Sequence, residues 1–313
     1  MAGRSSSLSR RTLLSGALTA PVAGSIALMG TPVAASSQGP AAASVLLQRR
    51  DWLTRRLDRL EREFSARAGL FAIDPLTGAE FGHRADERFA MCSTFKVYAA
   101  AAVLERARDE LTDLNRGIRI HPAGVVVNSP ECADFAGSTL PLKWFCKVAL
   151  THSDNTAGNQ LLKELGGPEA IGAYARSLGD TETRLDRWEP ELNNAERRDP
   201  RDTSTPRALA QGYRELLLGD ALSPETRTQL TRWMLANATS GTRIRAGLPA
   251  GWTSADKTGA GLFGTVNDVG ILRNPQGEPL VLSILTDSAT NVAETPGSNE
   301  LVAAITRAVT SGK

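Results

Sequence analysis

The chain has 313 residues, of which 41% are hydrophobic and 22% are charged, and its formal net charge is +2. This composition is typical of a globular protein and excludes a multi-spanning membrane protein, a collagen, a coiled coil and a strongly basic nucleic-acid-binding surface. Three cysteines and three histidines are too few for a disulfide scaffold or a histidine-rich metal site. The sequence therefore implies no metal, no organic cofactor and no nucleic-acid partner.

The first 35 residues have the features of an export signal. The adjacent Arg10 and Arg11 precede an uncharged stretch, and Val33-Ala34-Ala35 supplies small residues that a signal peptidase reads. Twin arginines before a mild apolar segment are typical of a Tat signal. Glycines and prolines make the stretch a poor spanning helix, which favours a cleaved signal over a transmembrane anchor or a disordered tail. We expect residues 1–35 to be removed from a periplasmic or secreted protein without stable membrane association.

The remaining chain begins with a helix and a hairpin. Apolar residues near helical spacing predict an amphipathic helix over residues 44–66. Residues 70–74 and 79–83 predict two strands joined by a tight turn. The middle of the chain is mostly helical, with predicted segments at 93–163, 168–178, 205–218 and 224–237. Three β-rich runs and a closing helix follow, at 252–258, 265–273, 279–286 and 298–310.

The two β-rich regions must meet if they are to form one sheet. The sequence therefore predicts an α/β (α+β) fold in which both chain ends build one antiparallel sheet flanked by helices, with an all-α subdomain inserted between them. The α/β subdomain is predicted at residues 44–90 and 235–313, and the all-α subdomain at residues 91–234. The latter includes an irregular loop at about 184–202. We expect the active site between the two subdomains.

Ser93-Thr94-Phe95-Lys96 is the first segment with catalytic chemistry. Ser93 begins a predicted helix, where the helix dipole favours negative charge, and Lys96 lies one turn later on the same face. A lysine in that place can hold or accept the serine proton. The pattern recurs at Ser254 and Lys257, but in a predicted strand, where positions i and i+3 point to opposite faces. By itself, the first copy is more typical of a helix-capping serine.

Ser153-Asp154-Asn155 is the only S-x-N sequence in the chain. A second hydroxyl can relay a proton to a leaving nitrogen, and an asparagine amide can bind a substrate carbonyl and a lysine ammonium together. Capping of the helix predicted to follow is the alternative interpretation.

Lys257-Thr258-Gly259 lies in a predicted edge strand. Its lysine and threonine are donors for an anionic group of a ligand, and its glycine lets a ligand approach the backbone. A solvated strand end is the alternative.

Trp188 to Asn193 form part of a polar, irregular stretch. Glu189 can act as a general base on a water molecule that Asn193 helps to hold. The many neighbouring arginines and aspartates also fit an ordinary surface loop.

In this order, the four segments resemble the motif set of the class A serine β-lactamases. The resemblance covers about residues 50–310, and it includes residues 199–206 and 243–249. It implies a secreted, monomeric hydrolase that attacks small-molecule β-lactams, namely penicillins and cephalosporins, through an acyl-enzyme.

The resemblance implies a role for each catalytic residue. Ser93 is the acylated nucleophile, Lys96 assists its activation, and Ser153 passes a proton to the β-lactam nitrogen. Glu189 drives deacylation through a water molecule, while the base for acylation stays open between Lys96 and Glu189. The implied oxyanion hole consists of the backbone N–H groups of Ser93 and Ala260. The substrate-binding residues are Asn155, Asn193, Lys257, Thr258, Gly259, Ala260 and Arg243.

Two arginines also receive roles from the resemblance. Arg243 binds the substrate carboxylate, because Val266 occupies the other place at which the family carries this arginine; a surface charge at a helix end is the alternative. Arg187 and Asp202 match the ion pair that closes the loop around the catalytic glutamate. The Glu189-Pro190 peptide bond is a candidate cis bond.

The chain departs from the family at several positions. Gly261 stands where the carbapenem-hydrolysing members carry a partner for Cys92, so we expect no disulfide there and less support for carbapenem hydrolysis. Pairing of Cys132 with Cys146 stays open. Asn128 replaces an aromatic wall residue, which leaves the substrate spectrum undetermined.

The closest rival is a penicillin-binding D,D-peptidase, which shares three of the four segments but lacks the glutamate loop. A β-lactam-binding sensor is a further alternative. Glu189 and Asn193 favour the hydrolase over the peptidase, whose acyl-enzyme is long-lived because it lacks the glutamate loop. A sensor would need a spanning anchor, and we expect none to remain after cleavage of the signal.

Overall fold

A computed structural model describes residues 40–311, with side chains described from residue 49 onward. The predicted export signal lies outside the described residues. No helix within residues 40–311 combines the length and apolarity needed to cross a membrane.

The secondary structure follows the predicted order. The strands are β1 (Ala66–Ile73), β2 (Glu80–His83), β3 (Phe89–Ala90), β4 (Gly117–Arg119), β5 (Thr139–Pro141), β6 (Thr203–Ser204), β7 (Thr253–Ala260), β8 (Val266–Arg273) and β9 (Pro279–Ser288). The helices are α1 (Pro40–Phe64), α2 (Lys96–Arg108), α3 (Pro130–Asp134), α4 (Leu142–Thr151), α5 (Asn155–Leu165), α6 (Glu169–Ser177), α7 (Pro206–Leu217), α8 (Pro224–Leu235), α9 (Ile244–Gly247) and α10 (Asn299–Thr310). Short 3₁₀ turns cover Cys92–Phe95, Pro122–Gly124 and Glu191–Asn194.

Both chain ends build a single five-stranded antiparallel sheet in the order β2-β1-β9-β8-β7. The early hairpin joins the late strands through β1 and β9, which pair from Ala66 opposite Ser288 to Ile73 opposite Val281. The predicted fold is therefore confirmed. Strand β7 is at the edge of the sheet, as predicted for the strand that contains Lys257.

Apolar residues cover both faces of this sheet. In β1, Leu70 and Ala72 pack with α1 and α10, whereas Phe71 and Ile73 pack with the helices on the opposite face. Successive side chains of a strand alternate between faces, so a sheet covered on both sides has nearly continuous apolar strands. The helical face contains α2, which is buried from Lys96 through Leu104.

Residues 91–234, predicted to be all-α, are mostly helical but also contribute strands to two short two-stranded sheets. Strand β4 pairs with β5, and β6 pairs with β3. Strands of two or three residues are too short to show an alternating pattern in the sequence. Residues from Ser44 onward cluster as one unit, and the division into two subdomains stays a prediction.

All three cysteines are free and buried. Cys132 and Cys146 therefore do not pair. Burial raises the pKa of the Cys92 thiol, which makes this thiol a poor nucleophile.

Candidate active site

Ser93 lies in the 3₁₀ turn Cys92–Phe95, which leads directly into α2. The sequence predicts that Ser93 begins an α-helix, whereas the structure has a 3₁₀ turn at this point. Ser93 and Lys96 are nevertheless in contact, as predicted. A 3₁₀ turn has about three residues per turn, so side chains at i and i+3 eclipse each other. Lys96 Nζ is 2.8 Å from Ser93 Oγ.

The ammonium group of Lys96 lies in a buried cage of oxygen atoms. Besides Ser93, its Nζ contacts Asn155 Oδ1 at 2.7 Å, the Ser153 carbonyl oxygen at 2.8 Å and Glu189 Oε1 at 2.9 Å. The side chains of Lys96 and Glu189 are both fully buried. A lysine ammonium has three protons, which these oxygens share with Ser93. The pairing with Glu189 balances a charge that would be costly to bury alone.

Ser153 and Lys257 meet across the cleft. Ser153 lies between α4 and α5 with a positive φ of 59°, and its Oγ accepts a hydrogen bond of 2.9 Å from Lys257 Nζ. Burial, together with the nearby charges of Lys96 and Arg243, holds the pKa of Lys257 well below its usual value. Lys257 is therefore suited to exchange a proton with the Ser153 hydroxyl.

Helix capping at α5 is performed by Asp154 and not by its neighbours. Its Oδ1 accepts from the backbone N–H of Ala157 at 2.8 Å, and its Oδ2 accepts from that of Cys132 at 2.9 Å. Ser153 and Asn155 are thereby free for the site. Asn155 donates from Nδ2 to the Val127 carbonyl oxygen at 3.1 Å and accepts from Lys96.

The Glu189 loop is closed at its base by the predicted ion pair. Arg187 Nε is 2.5 Å from Asp202 Oδ2, and Asp202 Oδ1 accepts the backbone N–H groups of Asp186 and Arg187. The Glu189-Pro190 bond is cis, as proposed from the sequence. The backbone of Glu189 also exchanges two hydrogen bonds, of 2.8 and 2.9 Å, with the side chain of Asn159.

These anchors direct the glutamate to the nucleophile. Glu189 Oε1 lies 3.3 Å from Ser93 Oγ, and Oε2 accepts a bond of 2.5 Å from Asn193 Nδ2. Asn193 Oδ1 is buried and has no partner within the described part of the chain. A water molecule between these groups would find both a base and an acceptor.

Arg243 and Thr258 form the polar end of the cleft. Arg243 Nη1 donates to the carbonyl oxygens of Gly259 at 2.7 Å and Asn267 at 2.9 Å, and Nε donates to Asn299 Oδ1 at 2.9 Å. Burial lowers the pKa of Arg243, which remains a cation at neutral pH. The Thr258 hydroxyl is 2.5 Å from the hydroxyl of Thr239.

Gly259 serves packing more than ligand access. A Cβ atom at this position would lie 2.8 Å from the Met91 carbonyl oxygen and 3.2 Å from Cys92 Cβ. The glycine therefore lets β7 approach the segment that carries the nucleophile. The sequence analysis explained the glycine by close approach of a ligand, and this explanation is incomplete because it leaves out the packing of β7.

A cleft of about 720 Å³ lies between β7 and the helical region, and most of the predicted site residues line it. Lys96, Glu189 and Lys257 lie buried beneath its floor, and Arg187 and Asp202 lie at the base of the loop. Asn128 and His152 also line the cleft. The predicted residues that line the cleft are Ser93, Ser153, Asn155, Asn193, Arg243, Thr258, Gly259 and Ala260.

Three contributing residues were missed in the sequence. Asn159 lies four positions after Asn155, so a helical pattern alone indicates that the two share a face. Gly158 gives room to Lys96, because a Cβ atom there would lie 2.7 Å from Lys96 Cε. Thr239, which lines the cleft, belongs to no motif and has no signal in the sequence.

A second polar cluster, which lies outside the cleft, already contains a positive charge. Asp58, Glu61 and His83 bring potential ligand atoms within 4.8 Å of one another. Arg84 already donates to both oxygens of Glu61, at 2.8 and 3.1 Å. Its charge opposes a bound cation at that carboxylate.

Comparison with known proteins supports one family. The model of the β-lactamase enzyme family matches residues 52–312. The β-lactamase of Streptomyces albus G is 45% identical over 287 residues, which cover 89% of each chain. The β-lactamase AST-1 of Nocardia asteroides is 46% identical over 254 residues, which cover 81% of each chain.

Solved structures agree with the sequence relatives. A β-lactamase from Burkholderia phymatum superposes with a TM-score of 0.82 at 42% identity and covers 84% of this chain and 98% of its own. A class A β-lactamase representing the last common ancestor of Gram-negative bacteria has a TM-score of 0.79 at 45% identity, covering 83% of this chain and 98% of its own. The fold is thus that of the class A β-lactamases, and the enzyme is a hydrolase of β-lactams. The chain belongs to the β-lactamase enzyme family.

Proposed function

We propose that the enzyme hydrolyses penicillins and cephalosporins through an ester on Ser93, and that Glu189 drives hydrolysis of this ester. The observation that carries the proposal is the position of Ser93 Oγ, 2.8 Å from Lys96 Nζ and 3.3 Å from Glu189 Oε1. A hydroxyl in contact with both a lysine and a carboxylate, which can exchange a proton with each other, matches the needs of a nucleophile that is acylated and then released.

Acylation forms one bond and breaks one. Ser93 Oγ attacks the β-lactam carbonyl carbon and loses its proton to Glu189, or to Lys96 after Lys96 has passed a proton to Glu189. The C–N bond of the ring then breaks, and Ser153 donates its proton to the nitrogen. The short contact between Lys257 and the Ser153 hydroxyl supports this role, because Lys257 can return a proton to Ser153.

Deacylation uses a water molecule. Glu189 accepts one proton as the water oxygen attacks the ester carbonyl, and Ser93 leaves with a proton returned to its oxygen. The bond from Asn193 to Glu189 and the unpartnered Asn193 oxygen support a water site between them. We assign the oxyanion hole to the N–H groups of Ser93 and Ala260.

The substrate carboxylate is assigned to the polar end of the cleft. Lys257, Thr258 and Arg243 supply two cations and a hydroxyl there, and charge-assisted hydrogen bonds to a carboxylate are among the strong ones. We also propose export through the Tat-type signal in residues 1–35 and a monomeric enzyme. Loss of export on exchange of Arg10 and Arg11 for lysine, and light scattering of the exported protein, test these two points.

Mass spectrometry of the enzyme mixed with a penicillin, sampled from seconds to hours, tests the central proposal. The unaltered enzyme should return to its free mass, whereas Glu189→Ala should accumulate an adduct on Ser93 because deacylation slows about a thousandfold. Ser93→Ala should form no adduct. Glu191→Ala, which alters an exposed residue of the same loop, should behave as the unaltered enzyme.

Two results would contradict this proposal. A persistent adduct on the unaltered enzyme would assign a penicillin-binding peptidase or a sensor instead. Full turnover by Glu189→Ala would remove Glu189 from deacylation.

A further inference from the structure

The turn between α8 and β7 carries Arg243 and packs on one face of the sheet. On that face, Thr258 of β7 lies directly opposite Asp268 of β8. Residues opposite each other in an antiparallel pair point to the same side. Asp268 is fully buried, on the same side as the threonine that lines the cleft.

One oxygen of Asp268 joins both ends of the turn that contains Arg243. Its Oδ2 accepts a bond of 2.7 Å from Ser240 Oγ and one of 3.2 Å from the backbone N–H of Ile244. The Ser240 carbonyl oxygen accepts the N–H of Arg243 at 3.0 Å. Arg243 is therefore held inside a loop whose two ends are tied to the same carboxylate.

Arg243 has neutral partners only. Its guanidinium donates to two backbone carbonyl oxygens and to the amide of Asn299, and it forms no ion pair with a carboxylate within residues 49–311. These partners orient the side chain only if the backbone of the turn is fixed. Asp268 anchors that backbone to the sheet at both Ser240 and Ile244.

We propose that Asp268 is a positioning residue for Arg243, which it holds in place for the substrate carboxylate by anchoring the turn from Ser240 to Ile244. This inference rests on the proposed role of Arg243. Asp268 belongs to none of the four segments identified in the sequence, and it is not among the residues that line the cleft.

The charges around Asp268 are compatible with this role. Asp256 of β7 opposes its ionisation, and the Arg243 cation of the turn favours it. Lys257 of β7 and Tyr213 of α7 also lie within range of its charge. Burial, followed by the charge of Asp256, raises the pKa of Asp268 to about 7. When Asp268 is protonated, its carboxyl group still has an oxygen that can accept the hydrogen bonds from Ser240 and Ile244.

Steady-state kinetics with a penicillin and with its carboxylate methyl ester test the inference. Asp268→Ala should raise KM for the penicillin about tenfold, the effect of misplacing one charge-assisted contact, with little change in kcat. KM for the ester should not change. Asp268→Asn keeps an oxygen acceptor and should restore the unaltered KM. Ser240→Ala, which removes one of the two donors, should raise KM less.

A double-mutant cycle separates positioning from general damage. In an Arg243→Ala background, Asp268→Ala should have no further effect on KM for the penicillin. Ser254→Ala is a matched control, because it removes a buried hydroxyl of β7 that has no partner among the described residues. If Arg243→Ala leaves KM unchanged, the proposed role of Arg243 is wrong. If Arg243→Ala raises KM but neither Asp268→Ala nor Ser240→Ala does, the inference is wrong. It is also wrong if Asp268→Ala and Ser240→Ala raise KM for the ester as much as KM for the penicillin.

Discussion

At the scale of single residues, the same short motif has two outcomes in this chain. Ser93 and Lys96 are in contact, whereas the Ser254 hydroxyl has no partner among the described residues and Lys257 bonds Ser153 instead. The sequence predicted this difference from the secondary structure on which each copy lies. The predicted contact of Lys96 depends on a second residue, Gly158, whose missing side chain leaves room for the lysine.

Gly158→Ala is expected to reduce kcat about a hundredfold, because displacement of a catalytic group by an ångström has costs of that size. The new Cβ would lie 2.7 Å from Lys96 Cε, so the lysine must move away from Ser93. Thermal unfolding should show an intact fold, since alanine favours a helix over glycine. Gly124→Ala, where the Cβ meets no atom closer than 4.0 Å, is the matched control. Unchanged kcat in Gly158→Ala would show that Lys96 tolerates displacement.

At the scale of elements, the loop around Glu189 has little regular structure and depends on its anchors. The ion pair of Arg187 with Asp202 closes its base, and Asn159 of α5 holds the backbone of Glu189. The sequence motif identified the ion pair and the glutamate. It did not identify Asn159, because its contact with the loop depends on how α5 packs beside it.

Arg187→Ala is expected to destabilise the enzyme by about 3 kcal/mol, because it leaves the buried Asp202 carboxylate without its counter-charge. Deacylation should slow as well, since the loop positions Glu189. Urea unfolding and pre-steady-state acyl-enzyme decay measure the two effects. The exposed pair of Arg108 with Asp109 gives the control, because Arg108→Ala should cost less than about 1 kcal/mol. Equal losses from both variants would contradict a special role of the loop anchor.

At the scale of the whole molecule, the cleft exists because the chain ends meet. Pairing of β1 with β9 joins residues that are more than 200 positions apart and completes the sheet whose edge strand carries Lys257. The same packing buries Asp268 beside Asp256, so that the fold itself raises the pKa of Asp268 to about 7. Stability and pH are therefore linked through this carboxyl group.

The stability of Asp268→Asn relative to the unaltered enzyme is expected to rise between pH 4 and pH 8. A carboxyl group whose pKa is raised on folding stabilises the native state below its unfolded value, near 3.8, and this contribution is lost as the pH rises through about 7. Asparagine does not titrate, so the difference should change by up to about 1.4 kcal/mol per pH unit in this window. Urea unfolding across the pH range measures it, and Ser283→Ala, a buried change without titration, should give a constant difference. A constant difference for Asp268→Asn would contradict the raised pKa.

The sequence by itself determined the order of elements, the antiparallel sheet from both chain ends and the residue types of the reaction. These features depend on local periodicity and on short motifs, in which neighbouring residues determine the outcome. Only the tertiary structure decided that Asp154 caps α5, that Gly259 lets β7 pack on the nucleophile segment, and that Asp268 anchors the turn of Arg243. The contacts of Gly259 and Asp268 join residues far apart in the chain and depend on how the helices and strands pack. Which polar residue caps α5 depends on the distant partners, Lys96 and Lys257, that hold the side chains of Asn155 and Ser153.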